Sequence, residues 1–504
     1  MKKSYKLTQK QYEYIVDECD SVLQKYASDI SIVGIAWLHV LNSHPANQTK
    51  YIHVFNPRTF GDSVKQFFYR GAVLLADLFL SLFSFLKKQD YQTVSENINL
   101  LFVSHLINPK AARTEPDFYF RELPDHMQSL NYKTAVALLN HTNEFSGWGE
   151  EQEEDKPAKI LIPRRLGFAK EFRFLRMAVN TYFFFMKQCF SEKDNFKKSF
   201  LSELARNAFS TDTIRAFRIY ETVRSILLNT DTRVLSLTWE GHSWERLVCY
   251  AAKQADHPIT VIGYQHTILF PSSHAIKRSI GKIYQPDIIL TVGSVTKKIM
   301  KDIGEIKVLE YGSPRLKEKN LYKGNDHIPN ACLVAPEGLT EQSILLFAFG
   351  VEAARLMPET QFIFRMYPGI PFETVQSKDK RLQELPPNVI ISSLKNMEDD
   401  FKRCSWLLYR STSVSFFAVL AGLRPLYLQE ENELSVDPLY MLASWRLNVE
   451  KPEQLISIIH KDIHAPAIEK EIEIKDAAVF CETYMAPYNM PLFEKIVKEE
   501  ITNA

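Results

Sequence analysis

From Asn97 onward the chain alternates short apolar runs with stretches of helical periodicity. Leu100–His105 (LLFVSH), Val234–Thr238, Ile259–Tyr264, Ile288–Val292 and Val308–Tyr311 are apolar runs of strand length, Lys159–Ile162 is a briefer one, and Ser243–Lys253 has a helical pattern. Uninterrupted apolar runs of this kind suit strands covered on both faces, as in a parallel sheet. A second series follows: strands over Ala331–Ala335, Gln361–Met366, Val389–Ser392, Trp406–Tyr409 and Pro425–Leu428, with helices over Thr340–Met357, Met397–Arg403 and Val414–Ala421. Pro358 stops the first of these helices and Gly422 closes the last, since one cannot continue a helix and the other tolerates its left-handed end. Alternation at this spacing predicts parallel βαβ units.

Elsewhere the pattern is looser. Met127–Leu139 reads as a helix, Phe168–Leu228 as largely helical, and the acidic stretch Ser146–Lys156 as a surface loop. The polar run Leu316–Asn330 reads as an interdomain linker. Residues 1–95 form an extension with a strand-like run at Ile30–Val40 and a nearly uniform apolar stretch, Gly71–Leu86, interrupted by Asp77. That stretch falls short of the ~20 residues a membrane crossing needs. It is expected as a buried core helix, with a membrane-surface helix as the alternative. The predicted fold is α/β: a mostly helical extension over 1–95, Rossmann-like domains over 96–325 and 326–480 with parallel sheets facing a central cleft, and a helical tail over 481–504.

Composition narrows the function. Lys and Arg number 61 against 60 Asp and Glu in 504 residues, so the whole-surface basic excess that grips nucleic acid is missing. The six cysteines are scattered with no CxxC pair, which gives neither a zinc signature nor a disulfide framework. A reducing, cytoplasmic setting fits, and the N-terminal segment lacks the apolar centre of a signal peptide.

The candidate chemistry lies where predicted strands end. Tyr409-Arg410-Ser411-Thr412-Ser413 turns from a strand into a helix, and N–H groups at such a start, helped by hydroxyls, hold a phosphate; a plain helix cap uses the same residues. Arg365, Tyr367 and Pro368 follow another strand, and Arg365 could hold phosphate or pair with a neighbouring helix. Glu337 and Gly338 end the second domain's first strand, where a carboxylate can accept from a ribose or sugar hydroxyl. In the first domain Glu240, after Val234–Thr238, is a candidate general base, with Glu245 as its structural neighbour. His266, after Ile259–Tyr264, is a candidate phosphate ligand, orienting group or base.

The pieces Ala335-Pro336-Glu337-Gly338, Phe364–Pro368 and Glu398–Leu428 together resemble the nucleotide-binding half of GT-B glycosyltransferases. Gly263–Thr267 (GYQHT) and Tyr311–Arg315 are similar to elements of the first domain in bacterial capsule and O-antigen transferases. Glu240-Gly241 and Ser411-Thr412-Ser413 resemble motifs of the subgroup that uses CMP-linked sialic-type or Kdo-type sugars. Two positions depart from the pattern: Tyr367-Pro368 stands where that subgroup has His-Pro, and Thr267 where a Gly is frequent.

The resemblance implies transfer of a sugar from a nucleotide-activated donor to a surface polysaccharide or lipopolysaccharide acceptor. It gives Glu240 as base with His266 as runner-up, and Glu337, Gly338, Arg365, Tyr367, Pro368, Arg410, Ser411, Thr412 and Ser413 as the donor-binding set. No metal, resident cofactor or nucleic-acid partner is expected, and a lipid-linked acceptor would bring the protein to the inner face of a membrane. A sugar-nucleotide 2-epimerase and a non-catalytic scaffold in polysaccharide assembly are the alternatives.

Overall fold

A computed structural model of the protein describes residues 6–84, 97–109, 115–142, 155–316, 330–367 and 369–502. Among these, helix α1 (Gln9–Lys25) opens the extension behind a capping box, with the Thr8 hydroxyl accepting from Gln11 N–H, and α2 (Phe60–Ser84) follows. The strand expected at Ile30–Val40 is instead a helical turn, Ile30–Val33, and a 3₁₀ turn, Ala36–Leu38. Asp29 starts that turn by accepting from Ser31 N–H at 2.8 Å, a local cap that decides a short apolar run either way. The turns pack with Tyr12, Ile15 and Cys19 of α1 into a small core against Phe185, Phe200 and Leu204.

The first lobe is a seven-stranded sheet in the order β3-β2-β1-β4-β5-β6-β7. Its strands are β1 (Leu100–Leu106), β2 (Thr134–Asn140), β3 (Ala158–Ile162), β4 (Val234–Thr238), β5 (Thr260–Gln265), β6 (Ile288–Thr291) and β7 (Lys307–Glu310). All are parallel. Helices α3 (Phe168–Ser191), α4 (Thr211–Leu228) and α5 (Ser243–Lys253) belong to this lobe. The helix expected over Met127–Leu139 is only Leu123–Ser129, and β2 occupies the remainder. Asn131 at φ 67° breaks the helix, and all of Thr134–Asn140 is buried beside β1; an apolar run without period takes the state its neighbours offer.

The second lobe repeats the plan with six parallel strands in the order β10-β9-β8-β11-β12-β13. They are β8 (Ala331–Ala335), β9 (Gln361–Phe364), β10 (Val389–Ile391), β11 (Trp406–Tyr409), β12 (Arg424–Leu428) and β13 (Leu447–Val449). The main helices are α6 (Thr340–Leu356) and α7 (Val414–Leu420). Helix α8 (Ala467–Tyr484) runs through the boundary expected at 480 and packs on α7. The chain then crosses back: Ala486 N–H donates to Val292 O at 2.7 Å and its carbonyl accepts from Ser313. Helix α9 (Met490–Thr502) docks on the first lobe, where Phe493 stacks on Phe102 of β1 with ring centres 5.7 Å apart.

Both sheets thus have the doubly wound order, which opens a crevice where the winding reverses. In the first lobe that point lies between β1 and β4, in the second between β8 and β11. Residues 143–154 and 317–329, which cover most of the expected loop and linker, lie outside the described residues.

The apolar stretch of the extension is a helix but not a core one. Within α2 Leu74 and Ser81 are buried, whereas Phe68, Tyr69, Leu75 and Phe79 are exposed. Asp77 causes this: it faces inward to Arg165 and Arg218, which turns the apolar side out. No described helix is long and apolar enough to cross a membrane.

Candidate functional site

At the first lobe's reversal point, four strand ends bring imidazoles and a carboxylate together. His105 is the last residue but one of β1 and His141 follows β2, with His105 Nδ1 2.7 Å from His141 Nε2 and His105 Nε2 3.2 Å from the Thr238 hydroxyl. Glu240 follows β4. One of its carboxylate oxygens is 3.0 Å from His242 Nε2 and the other 3.9 Å from Nε2 of His266, beyond β5. Tyr119 lies edge-on over His266 at 4.3 Å. It is held there by the turn in which Asp117 accepts from Tyr119 and Phe120 N–H and from Ser104.

The turn Glu240-Gly241-His242 is built by two constraints. Glu245, on the first turn of α5, accepts all three of its N–H groups at 2.7–2.9 Å. Gly241 has φ +85°, and a Cβ there would sit 2.3 Å from Ala275 O, so only glycine fits. The backbone thereby folds His242 onto Glu240.

Electrostatics set the charges. Burial would raise Glu240, but the His242 hydrogen bond and the neighbouring imidazoles overcome it and hold the carboxyl at about 2. His242 moves the other way: burial opposes its charge, yet Glu240 and Glu245 raise it above its ordinary value. Burial pushes His266 down to about 4, and it pushes His141 down to about 4 with the help of Arg215. His105 falls well below its usual range for the same reason. Burial also lifts the Glu245 carboxyl to about 7. The site therefore holds one carboxylate, one imidazole that charges readily and three that stay neutral.

The second lobe's reversal point gathers Glu337 after β8 and Ser411, Thr412 and Ser413 after β11. The Ser411 hydroxyl donates to a Glu337 oxygen in a short bond. Gly338 lies beneath Tyr367, whose ring a Cβ would meet at 2.9 Å, and Tyr367 is half exposed. Thr412 Oγ1 accepts from Val414 N–H at 3.3 Å, and Ser413 is the N-cap position of α7 without a side-chain cap bond. Pro368 lies outside the described residues.

Both candidate arginines are engaged away from this group. Arg365 pairs with buried Asp400 at 2.8 Å and donates to the carbonyls of Leu394 and Lys395. Arg410 is 1% exposed and donates to both Glu433 oxygens, to Gln342 and to Leu428 O. The pairing alternative therefore describes both guanidinium groups, because strand-end arginines beside buried carboxylates are drawn to them.

The extension supplies a residue that the sequence reading passed over. His44 Nε2 lies 2.9 and 3.0 Å from the Glu337 oxygens and 3.1 Å from the Ser411 hydroxyl. Ser43 donates to Ser435 O, while the carbonyls of Val40 and Leu41 accept from Ala275 and His274 of the first lobe. The two halves of the site face each other closely enough for Tyr119, raised to about 12 chiefly by burial, to feel both Glu240 and Tyr367. His105 and His141 also went unread. His105 closes a predicted strand, whereas His141 lies just past a stretch whose pattern predicts a helix. The only signal for His44 is its place before Pro45, at a helix start.

No family model and no curated protein matches the chain. Among solved structures it is similar to Alr3699/HepE of Anabaena, crystallised with UDP and glucose: 12% identity over 81% of this chain and 100% of that one, TM-score 0.43. It is similar to a UDP-N-acetylglucosamine 2-epimerase named from Listeria monocytogenes, at 11% identity over 80% and 97%, TM-score 0.47. The calicheamicin glycosyltransferase CalG4 aligns at 9% identity over 81% and 99%, TM-score 0.45. Likenesses this distant carry no argument about chemistry. The fold stands on its own sheets: two Rossmann-like lobes, parallel throughout, with the last helix returned to the first lobe, the GT-B arrangement.

Proposed function

We propose that the protein is a glycosyltransferase that binds a nucleotide-activated sugar in the second lobe and transfers the sugar to an acceptor hydroxyl held at the first. What supports this reading is the paired reversal points: proton-handling groups lie at one and hydroxyl-binding groups at the other, across a shared cleft. The preferred donor is a CMP-linked nonulosonic or Kdo-type sugar, and the acceptor a surface polysaccharide or lipopolysaccharide.

Glu240 is the base. It is the more accessible candidate, since His266 is nearly enclosed under Tyr119. As the acceptor oxygen bonds to the anomeric carbon, the bond from that carbon to the donor phosphate breaks. The hydroxyl proton passes to Glu240, and the nucleotide leaves with the bonding electrons. His242 sets the proton affinity of Glu240, and His266 supports its second oxygen.

In the second lobe, Glu337 between His44 and Ser411 repels an oxyanion and accepts from hydroxyls, so it takes the ribose or sugar. Thr412 and Ser413 then face the phosphate, with Tyr367 and Gly338 forming the adjoining wall. The histidine-proline pair that the resemblance expects at Tyr367-Pro368 has a counterpart in His44-Pro45.

Titration calorimetry with CMP, UDP and GDP and their sugars tests the reading. One nucleotide should bind, and Ser411→Ala and His44→Gln should weaken it about tenfold or more, as loss of a hydrogen bond within a charged group does. Binding of none of them, or epimerisation of a donor without acceptor, would end it.

A further inference from the structure

Helices α2 and α3 pack together, and the faces they turn outward are rich in apolar side chains. On α2 the outward positions from Phe68 to Leu82 are all apolar, with Tyr69 71% and Phe79 59% exposed. On α3 the outward positions include Phe172, Phe183 and Phe190, the last 76% exposed, interleaved with Arg176 and Lys187.

The acids go the other way. Asp77 and Glu171, the acidic residues of these two stretches, both turn inward to Arg218, at 3.0 Å and 2.7–2.9 Å. Arg218 is itself buried. The sorting is therefore inverted on α2, with its ionic group inside and its apolar side in water, and the charge left outside on the pair of helices is positive. Exposed apolar side chains gathered on two adjoining helices mark an interaction surface. A second copy of the chain would bring the same positive charge against it. An anionic bilayer surface complements both properties, taking aromatic side chains at the headgroup level and attracting arginine and lysine.

We propose that the outward faces of α2 and α3 dock the protein on an anionic membrane surface, lying in the interface without crossing it. This holds whatever the activity of the cleft, because none of these residues belongs to it.

Flotation of the full chain with vesicles tests the proposal, using phosphatidylcholine alone and phosphatidylcholine mixed with phosphatidylglycerol. The wild type should float with the anionic vesicles, far less with the neutral ones, and less as salt is raised. Leu75→Glu with Phe79→Glu should lower vesicle affinity about tenfold or more by removing buried apolar area. Arg176→Glu with Lys187→Glu, on the other helix, should lower it about fivefold per charge removed and flatten the salt dependence. Unchanged melting temperatures establish that the variants fold, and the second pair stands if the first does not. Wild type that stays with the unbound fraction, or both paired variants floating like wild type, overturns the proposal. So does a lipid-free dimer, seen by light scattering, that the α2 pair dissociates.

Discussion

The two lobes share one winding plan and place different groups at its reversal point. At the first lobe's reversal point are Glu240, held ionised, His242, raised above its ordinary value, and His105, His141 and His266, held neutral by burial. At the second are Glu337, Gly338, Tyr367 and three hydroxyl residues, groups suited to hydrogen-bonding a ligand. The second lobe's cations, Arg365 and Arg410, are locked to Asp400 and Glu433. Strand order fixes where a site forms, and the side chains at the strand ends decide what it does.

Glu240→Gln breaks this division most severely. Turnover should fall by about 10²–10⁴, the usual contribution of a positioned proton acceptor, with nucleotide affinity unchanged. Parallel calorimetry and a glycosyl-transfer assay check it, and equal losses in both would mean that the lobes do not divide the work. Arg410→Met tests the opposite side. It strands the buried Glu433 carboxylate, so denaturant unfolding should lose about 3–5 kcal/mol, while whatever protein remains folded keeps its nucleotide affinity.

The finest test is pH. His242 is raised above 6.5, and its hydrogen bond is the largest of the influences that lower Glu240. As pH rises through the His242 value, Glu240 regains basicity, so turnover should climb along a limb above pH 6.5. His242→Asn should remove that limb. Stability runs with the opposite sign. The raised His242 contributes fully below its unfolded value and less as pH rises through its folded one, whereas the depressed Glu240 contributes above 4.5 and less as pH falls toward 2.

Much of this was legible in the chain. Apolar runs at β4, β5, β8, β9, β11 and β12 marked their strands because burial on both faces leaves no polar alternation. Glu240, His266, Glu337 and Ser411 stood out because each follows a predicted strand, and the structure places them at the two reversal points. Two elements differ from expectation for a common reason. β2 and Ile30–Val33 are short apolar stretches whose state is set by a neighbour or a cap. Arg365 and Arg410 carry a charge that suits phosphate, but their partners, Asp400 and Glu433, lie 35 and 23 positions away. His44 is 293 positions from Glu337, and nothing local in its sequence announces that meeting.

The peptide from Val40 to His44 has a mechanical consequence. It is fastened to the first lobe through His274 and Ala275 and to the second through Glu337, Ser411 and Ser435. Ala275 is also the carbonyl pressed against Gly241. A yawning motion of the jaws on that rim must unfasten Ser43 and His44, and a tug on the same strip reaches the Glu240 turn through one intervening residue.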